Sequence, residues 1–291
     1  MIGRILERLA LPATFVVMLY VSSAASAQQI DARSVLSSDG VKIVYDVRGT
    51  GEITLIFVHC WAGNRFFWRE QADVFATNYR VVTLDLAGHG QSGSNRKQWS
   101  ILGLAEDVRT VADDLNLKRV VLIGHSMGGP VSLQAAHLLA GRVLGVVLVD
   151  SLHDVTSRRS LESAQADAER LRNNFAGYMG DLSSLFTKTS DPSIRHWVEN
   201  QAMAANQAVA VALKLDTPNL DAEKLFNAAG VPIRAINAKP PLSDVTNIAA
   251  NRKYGDYDVV FVDDAGHFLQ LERPQEFNQD LSRWVNSLST R

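Results

Sequence analysis

The sequence predicts an α/β protein: a mainly parallel, doubly wound sheet with helices on both faces and an inserted helical lid. Three observations lead there. Short apolar runs rich in valine and isoleucine, at 53–58, 80–84, 120–123, 143–149, 233–237 and 259–262, read as strands buried on both faces. Stretches with helical spacing separate most of them, and such alternation is the pattern of a parallel sheet. From about 152 to 225 the alternation stops and no strand is predicted, which is the mark of an insertion.

In chain order, 33–37 and 41–47 read as a hairpin about Asp39-Gly40. The strand at 53–58 runs into His59-Cys60-Trp61-Ala62-Gly63-Asn64, and 66–76 has helical spacing. The strand at 80–84 is followed by a glycine-rich loop over 85–93, then by an amphipathic helix over 101–115. The strand at 120–123 enters Gly124-His125-Ser126-Met127-Gly128-Gly129, with a helix expected over 130–140. The strand at 143–149 ends at Asp150, and 161–175 and 194–215 read as helices rich in Ala, Gln, Asn and charge. Between the last two strands a helix is expected to start at Ser243, with Asp244 in its first turn. His267 follows the last strand, and Pro274 opens a final helix with Phe277, Leu281, Trp284 and Leu288 at core spacing. The predicted organisation is a core formed by 28–151 and 226–291 and a helical cap at 152–225.

The chain has 291 residues, 46% hydrophobic and 21% charged, enough for one sizeable core plus an insertion. Its net charge is −2 and it holds no dense run of Lys and Arg, so composition argues against nucleic-acid binding and electrostatic membrane attachment. Residues 1–27 read as an export signal: Arg4 and Arg8, an apolar stretch over 9–21, then Ala25-Ser26-Ala27 before Gln28. That stretch falls short of the roughly 20 residues that span a bilayer. The expected location is therefore periplasmic or extracellular. Cys60 is the only cysteine, so no intrachain disulfide is possible and no lipid anchor is expected at the cleavage site.

Ser126 is the candidate nucleophile. A serine hydroxyl becomes useful when a sharp strand-to-helix turn pushes it out of the fold towards a base. Gly124 and Gly128 remove side chains that would collide in such a turn. The turn also aims the Met127 amide, at a helix start, towards an oxyanion on the substrate.

The motifs GHSMGG at 124–129, HCWAG at 59–63, DLAGHGQSG at 85–93 and DAGHF at 264–268 resemble those of the α/β-hydrolase superfamily, and the resemblance covers nearly all of 34–290. It implies a serine esterase-like member with a helical cap and no cofactor or metal. It implies Ser126 as nucleophile, His267 as general base, and an oxyanion hole from the amides of Trp61 and Met127. The chain departs from the family at Cys60, where glycine is usual. It departs again at the acid, which in many relatives follows the strand corresponding to 233–237 in a G-x-x-D pattern. Here the sequence reads Asn237-Ala238-Lys239-Pro240-Pro241, with no carboxylate until Asp244. A minority arrangement puts the acid at the end of the preceding strand, which is Asp150. Asp150 is the favoured candidate, Asp244 the alternative, and Asp154 stands behind both. His59 is expected to brace the oxyanion loop, and His89 and His125 to be structural. His137, His153 and His196 lack metal-ligand spacing.

A serine at the nucleophile position argues against dehalogenase or epoxide hydrolase chemistry, which needs a carboxylate to form an alkyl ester. Acyl transfer to water from a small-molecule ester, thioester, lactone or activated amide remains. The lid carries Phe175, Tyr178, Met179, Leu182, Leu185, Phe186, Trp197 and Met203: if half of these face the cleft an apolar acyl group of modest size is expected, and the alternative is that they pack the lid onto the core. Two other readings stay open: a C–C bond hydrolase or perhydrolase with the same triad, and a non-catalytic ligand-binding homologue.

Overall fold

A computed structural model describes residues 31–240 and 244–290, so the predicted export signal and Ser243 lie outside the described residues. Eight strands form one sheet in the order β1-β2-β4-β3-β5-β6-β7-β8. β1 (Asp31–Leu36) and β2 (Lys42–Arg48) form the antiparallel hairpin, and β2 pairs antiparallel with β4 (Arg80–Asp85). From β4 onwards the sheet is parallel through β3 (Thr54–Val58), β5 (Val120–His125), β6 (Val143–Val149), β7 (Ile233–Ala238) and β8 (Tyr257–Val262).

Two apolar layers cover the sheet, and side chains along each strand alternate between them. On β5, Val120 and Leu122 join one layer while Val121 and Ile123 join the other. The first layer packs under α2 (Ile101–Asp114), α3 (Gly128–Leu138) and α8 (Ala222–Ala229). The second packs under α1 (Arg69–Phe75) and α11 (Pro274–Ser289), through Phe75, Phe277, Leu281, Val285 and Leu288. This two-sided burial explains why the central strands read as unbroken apolar runs.

Between β6 and α8 lie α4 (Leu161–Asn173), α5 (Phe175–Gly180), α6 (Pro192–Met203) and α7 (Gln207–Asp216). The helix expected over 194–215 is thus two helices. Asn206 ends the continuity because its side chain accepts from the Ala208 and Val209 amides and caps α7. Asn174 likewise separates α4 from α5 by capping the second at Gly177. The helix expected from Ser243 is corrected too. It is α9 (Ile248–Tyr254), capped by Asn247 onto the Ala250 amide, so Asp244 lies outside its first turn. Residues 66–76 begin as a 3-10 turn at Arg65–Trp68 before becoming α1, because Asn64 caps the Phe66 amide.

Strand order reverses where β3 lies between β4 and β5, and ligands of open α/β sheets bind at such a point outside the carboxyl ends of the strands. The loop at 59–64, Ser126, Asp150 and His267 all leave carboxyl ends of parallel strands. α10 (Leu269–Glu272) starts two residues after His267, with Phe268 at its N-cap.

Candidate active site

Ser126 has φ of 53°, the left-handed region that costs a non-glycine residue roughly 1–2 kcal/mol. Neighbouring contacts hold the strain. The Ser126 amide donates to Val149 O at 3.0 Å, and Ser151 Oγ donates to Ser126 O at 2.7 Å. A Cβ on Gly124 would lie 2.1 Å from Gly128 O, and one on Gly128 would lie 2.4 Å from Val58 O. Gly124 is therefore required by the turn's closure onto α3 and Gly128 by its closure against β3. Ala62 and Asp150 share the left-handed conformation, with φ of 56° and 44°, so strain gathers on the loops around Ser126.

His267 and Asp150 are brought together, with Nδ1 and Oδ2 2.6 Å apart. The other carboxylate oxygen accepts from the Ala238 amide at 3.0 Å and lies 3.5 Å from His153 Nε2. Burial alone would raise the Asp150 pKa, but the His267 hydrogen bond and charge, His153 and the Ala238 amide together hold it below the usual value. Asp244 is exposed and lines a cavity that Asp150 and His267 also line. Asp154 is occupied by Thr156 and Asn247 and does not reach His267.

The imidazole is held by its backbone as well. His125 Nε2–H donates to His267 O at 2.7 Å, while His125 Nδ1 accepts from Gln270 Nε2 at 3.2 Å. Burial pushes the His125 pKa down to about 3, so the ring stays neutral and keeps this donor–acceptor order. The His267 amide donates to Leu185 O, between α5 and α6, at 2.8 Å. Buried Glu272 accepts from the Gly266 and Phe268 amides at 3.1 and 3.2 Å and from Ser190 and Thr187, which precede α6. Glu272→Ala would orphan several of these donors, each at about 1–3 kcal/mol. It is expected to lower both the melting temperature and kcat, as thermal unfolding and ester kinetics can show.

The loop at 59–64, expected to carry the oxyanion hole, rests on His59. Its Nδ1–H donates to Cys60 O at 2.7 Å and its Nε2 accepts from the Leu86 amide at 3.1 Å. Burial pushes its pKa down to about 4, which keeps the ring neutral. His89 packs against it at a tilt and donates to Ala87 O. Among the described residues, neither the Trp61 nor the Met127 amide is taken by another backbone group. Burial pushes the Cys60 thiol up to about 12, so it carries almost no thiolate at neutral pH. Iodoacetamide at pH 8 is expected to leave Cys60 unmodified in the folded protein and to label it after denaturation, which intact-mass measurement reads directly.

The sequence profile of the alpha/beta hydrolase family matches residues 55–280. The chain belongs to the alpha/beta hydrolase family. It is 27% identical over 244 residues to a dihydrolipoyllysine-residue acetyltransferase component of the acetoin cleaving system of Pseudomonas putida, covering 81% of this chain and 64% of that protein. The chain spans less than two thirds of the length of the acetyltransferase components it matches. It is 24% identical over 247 residues to 3-oxoadipate enol-lactonase 1 of Acinetobacter baylyi, covering 80% of this chain and 89% of that one. Its fold matches that of a thermophilic esterase from Thermogutta terrifontis with a TM-score of 0.78 at 22% identity, covering 89% of this chain and 99% of the other.

In this alpha/beta hydrolase two cavities meet at Ser126 and His267. One, of about 510 Å³, is lined by Asp150, Leu152, His153, Leu220 and Asp244 among others. The second, of about 280 Å³, is lined by Cys60, Trp61, Tyr178, Leu182, Leu185 and Lys214 among others. Of the aromatic and aliphatic residues expected over the cleft, Tyr178, Leu182 and Leu185 face this second cavity. Met179 and Phe186 are buried in packing, Trp197 packs at a tilt against Phe67, and Met203 is 46% exposed. Sequence reasoning missed Lys214, His153 and Glu272. Lys214 lies on a helix whose spacing gives no hint of the cavity, and the contacts of the other two cross distant parts of the chain. Among the described residues no cluster of His, Cys, Asp and Glu could hold a metal ion, and no helix is long and apolar enough to cross a membrane.

Proposed function

We propose that this chain is an exported serine hydrolase that cleaves an ester-type acyl bond of a small molecule through an acyl-enzyme intermediate. The observation that carries the reading is the placement of a strained Ser126 on the same cavities as an imidazole whose Nδ1 is held by buried Asp150. In the first step Ser126 Oγ attacks the acyl carbon and its proton passes to His267 Nε2. Asp150 keeps the Nδ1–H in place and stabilises the imidazolium. The carbonyl oxygen gains charge against the Trp61 and Met127 amides, donors typically worth about 10²–10³ in rate each. His267 then returns the proton to the leaving alcohol. Water, deprotonated by the same ring, releases the acid.

Residues 152–225 act as a lid in this reading, and the basic, apolar and Ala25-Ser26-Ala27 segments of the leader support export. The similarity to proteins named as an enol-lactonase and an esterase supports an ester-type bond. Fluorophosphonate labelling and a panel of p-nitrophenyl esters of increasing acyl length test the proposal. Single-site capture at Ser126 with turnover of short esters is expected. An unreactive Ser126 with no turnover would instead support a ligand-binding homologue.

A further inference from the structure

Resting on the hydrolase reading above, we propose that Lys214 receives a carboxylate carried by the substrate, so the preferred ester or lactone is an anionic one. The placement is built rather than incidental. Trp61, whose amide is assigned to the oxyanion hole, donates its indole N–H to Ala210 O of α7 at 3.1 Å. Lys214 follows one helical turn later, and its ammonium sits 4.3 Å from the centre of the Trp61 ring and 5.9 Å from that of Tyr178. It lines the smaller cavity together with Ser126 and His267.

Among the described residues, no acid lies within ion-pair distance of this ammonium. Neighbouring Asp167 is engaged by Arg159, and Asp181, on the cavity wall, is paired with Arg170 at 2.8 Å. Asp216, further along α7, accepts from the Ile101 amide and Asn219. The ring faces offset part of the desolvation, but an aromatic quadrupole is worth less than a full counter-charge. Burial pushes the Lys214 pKa down to about 8, which leaves the amine mostly charged at neutral pH and in want of a partner.

The larger cavity has the opposite character, because among the described residues its lining carries Asp150 and Asp244 and neither Lys nor Arg. An anionic group would thus be drawn to the Trp61 side and repelled from the Asp150 side. That asymmetry orients the scissile bond over Ser126. Tyr178, Leu182 and Leu185 leave apolar wall for the short chain between the two ends.

The test compares matched substrates. One pair puts the charge in the acyl half: 4-nitrophenyl hydrogen adipate against 4-nitrophenyl hexanoate. The other puts it in the alcohol half: 4-carboxyphenyl butyrate against phenyl butyrate. In at least one pair, Lys214→Met is expected to lower the charged-to-neutral ratio of kcat/KM at least tenfold, chiefly through KM, and Lys214→Arg to restore most of it. The wild-type preference is expected to decline as pH rises through about 8. A ratio that changes less than twofold in both pairs overturns the proposal.

Adipate binding to Ser126→Ala, followed by calorimetry with and without Lys214→Met, decides the matter without hydrolysis. Binding that depends on Lys214 supports the site even if no ester is turned over, whereas no binding, or binding indifferent to Lys214, sinks it. Failure of fluorophosphonate capture would remove the hydrolase reading separately.

Discussion

Ser126→Ala is expected to lower kcat on the best ester by about 10⁶, because the acyl-enzyme route has no other nucleophile to use. Cys60 cannot substitute: burial raises its pKa to about 12 and it carries almost no thiolate at neutral pH. The residual rate would come from the oxyanion donors and substrate binding alone. Ser126→Gly should abolish activity to the same degree but act in the opposite direction on stability. The φ of 53° strains a serine and not a glycine, so relief of about 1 kcal/mol is expected, less the extra chain entropy of glycine. Thermal unfolding beside ester kinetics would show a small rise in melting temperature with loss of turnover. A fall in melting temperature would mean that the turn is not strained.

Asp150→Asn is expected to cost about 10⁴ in kcat, while Asp244→Asn should change it only a few-fold. Asparagine preserves the shape but offers an amide that cannot stabilise an imidazolium, and its NH₂ favours the wrong His267 tautomer. Only Asp150 has the geometry for the role, at 2.6 Å from Nδ1, whereas Asp244 is exposed on the cavity wall. If the large loss fell on Asp244→Asn instead, the acid assignment would be wrong. The same carboxylate makes a stability prediction. Its folded-state pKa lies below the ordinary aspartate value of 3.8, so its contribution is fully present above that value and is lost as pH falls through the lower, folded-state one. Denaturant unfolding should therefore show a deficit for Asp150→Asn at pH 7 that closes in strong acid.

Much of the architecture was legible before any coordinates. The buried strands could be read because apolar side chains are needed on both faces of a covered parallel sheet, and that need is written locally. The turn at Ser126 could be read because its closure tolerates no Cβ at Gly124, against α3, or at Gly128, against β3. Helix ends were legible only where a cap was noticed. Asn206, which divides the predicted 194–215 helix, acts through a side-chain hydrogen bond that periodicity does not register.

What determines the site beyond its nucleophile is long-range. Asp150 and His267 are 117 residues apart, and they meet because β7 is placed between β6 and β8. That pairing puts the Ala238 amide beneath Asp150 and leaves Asp244 on the rim. Lys214 became part of the site only when α7 came to rest on the Trp61 ring. The sequence by itself determined the strands, the sharp turn and the chain order of serine and histidine, since each depends on neighbours in the chain. The acid beside the histidine and the cation in the cavity were decided by the tertiary structure, because a charge acquires its partner and its desolvation only from segments that folding brings together.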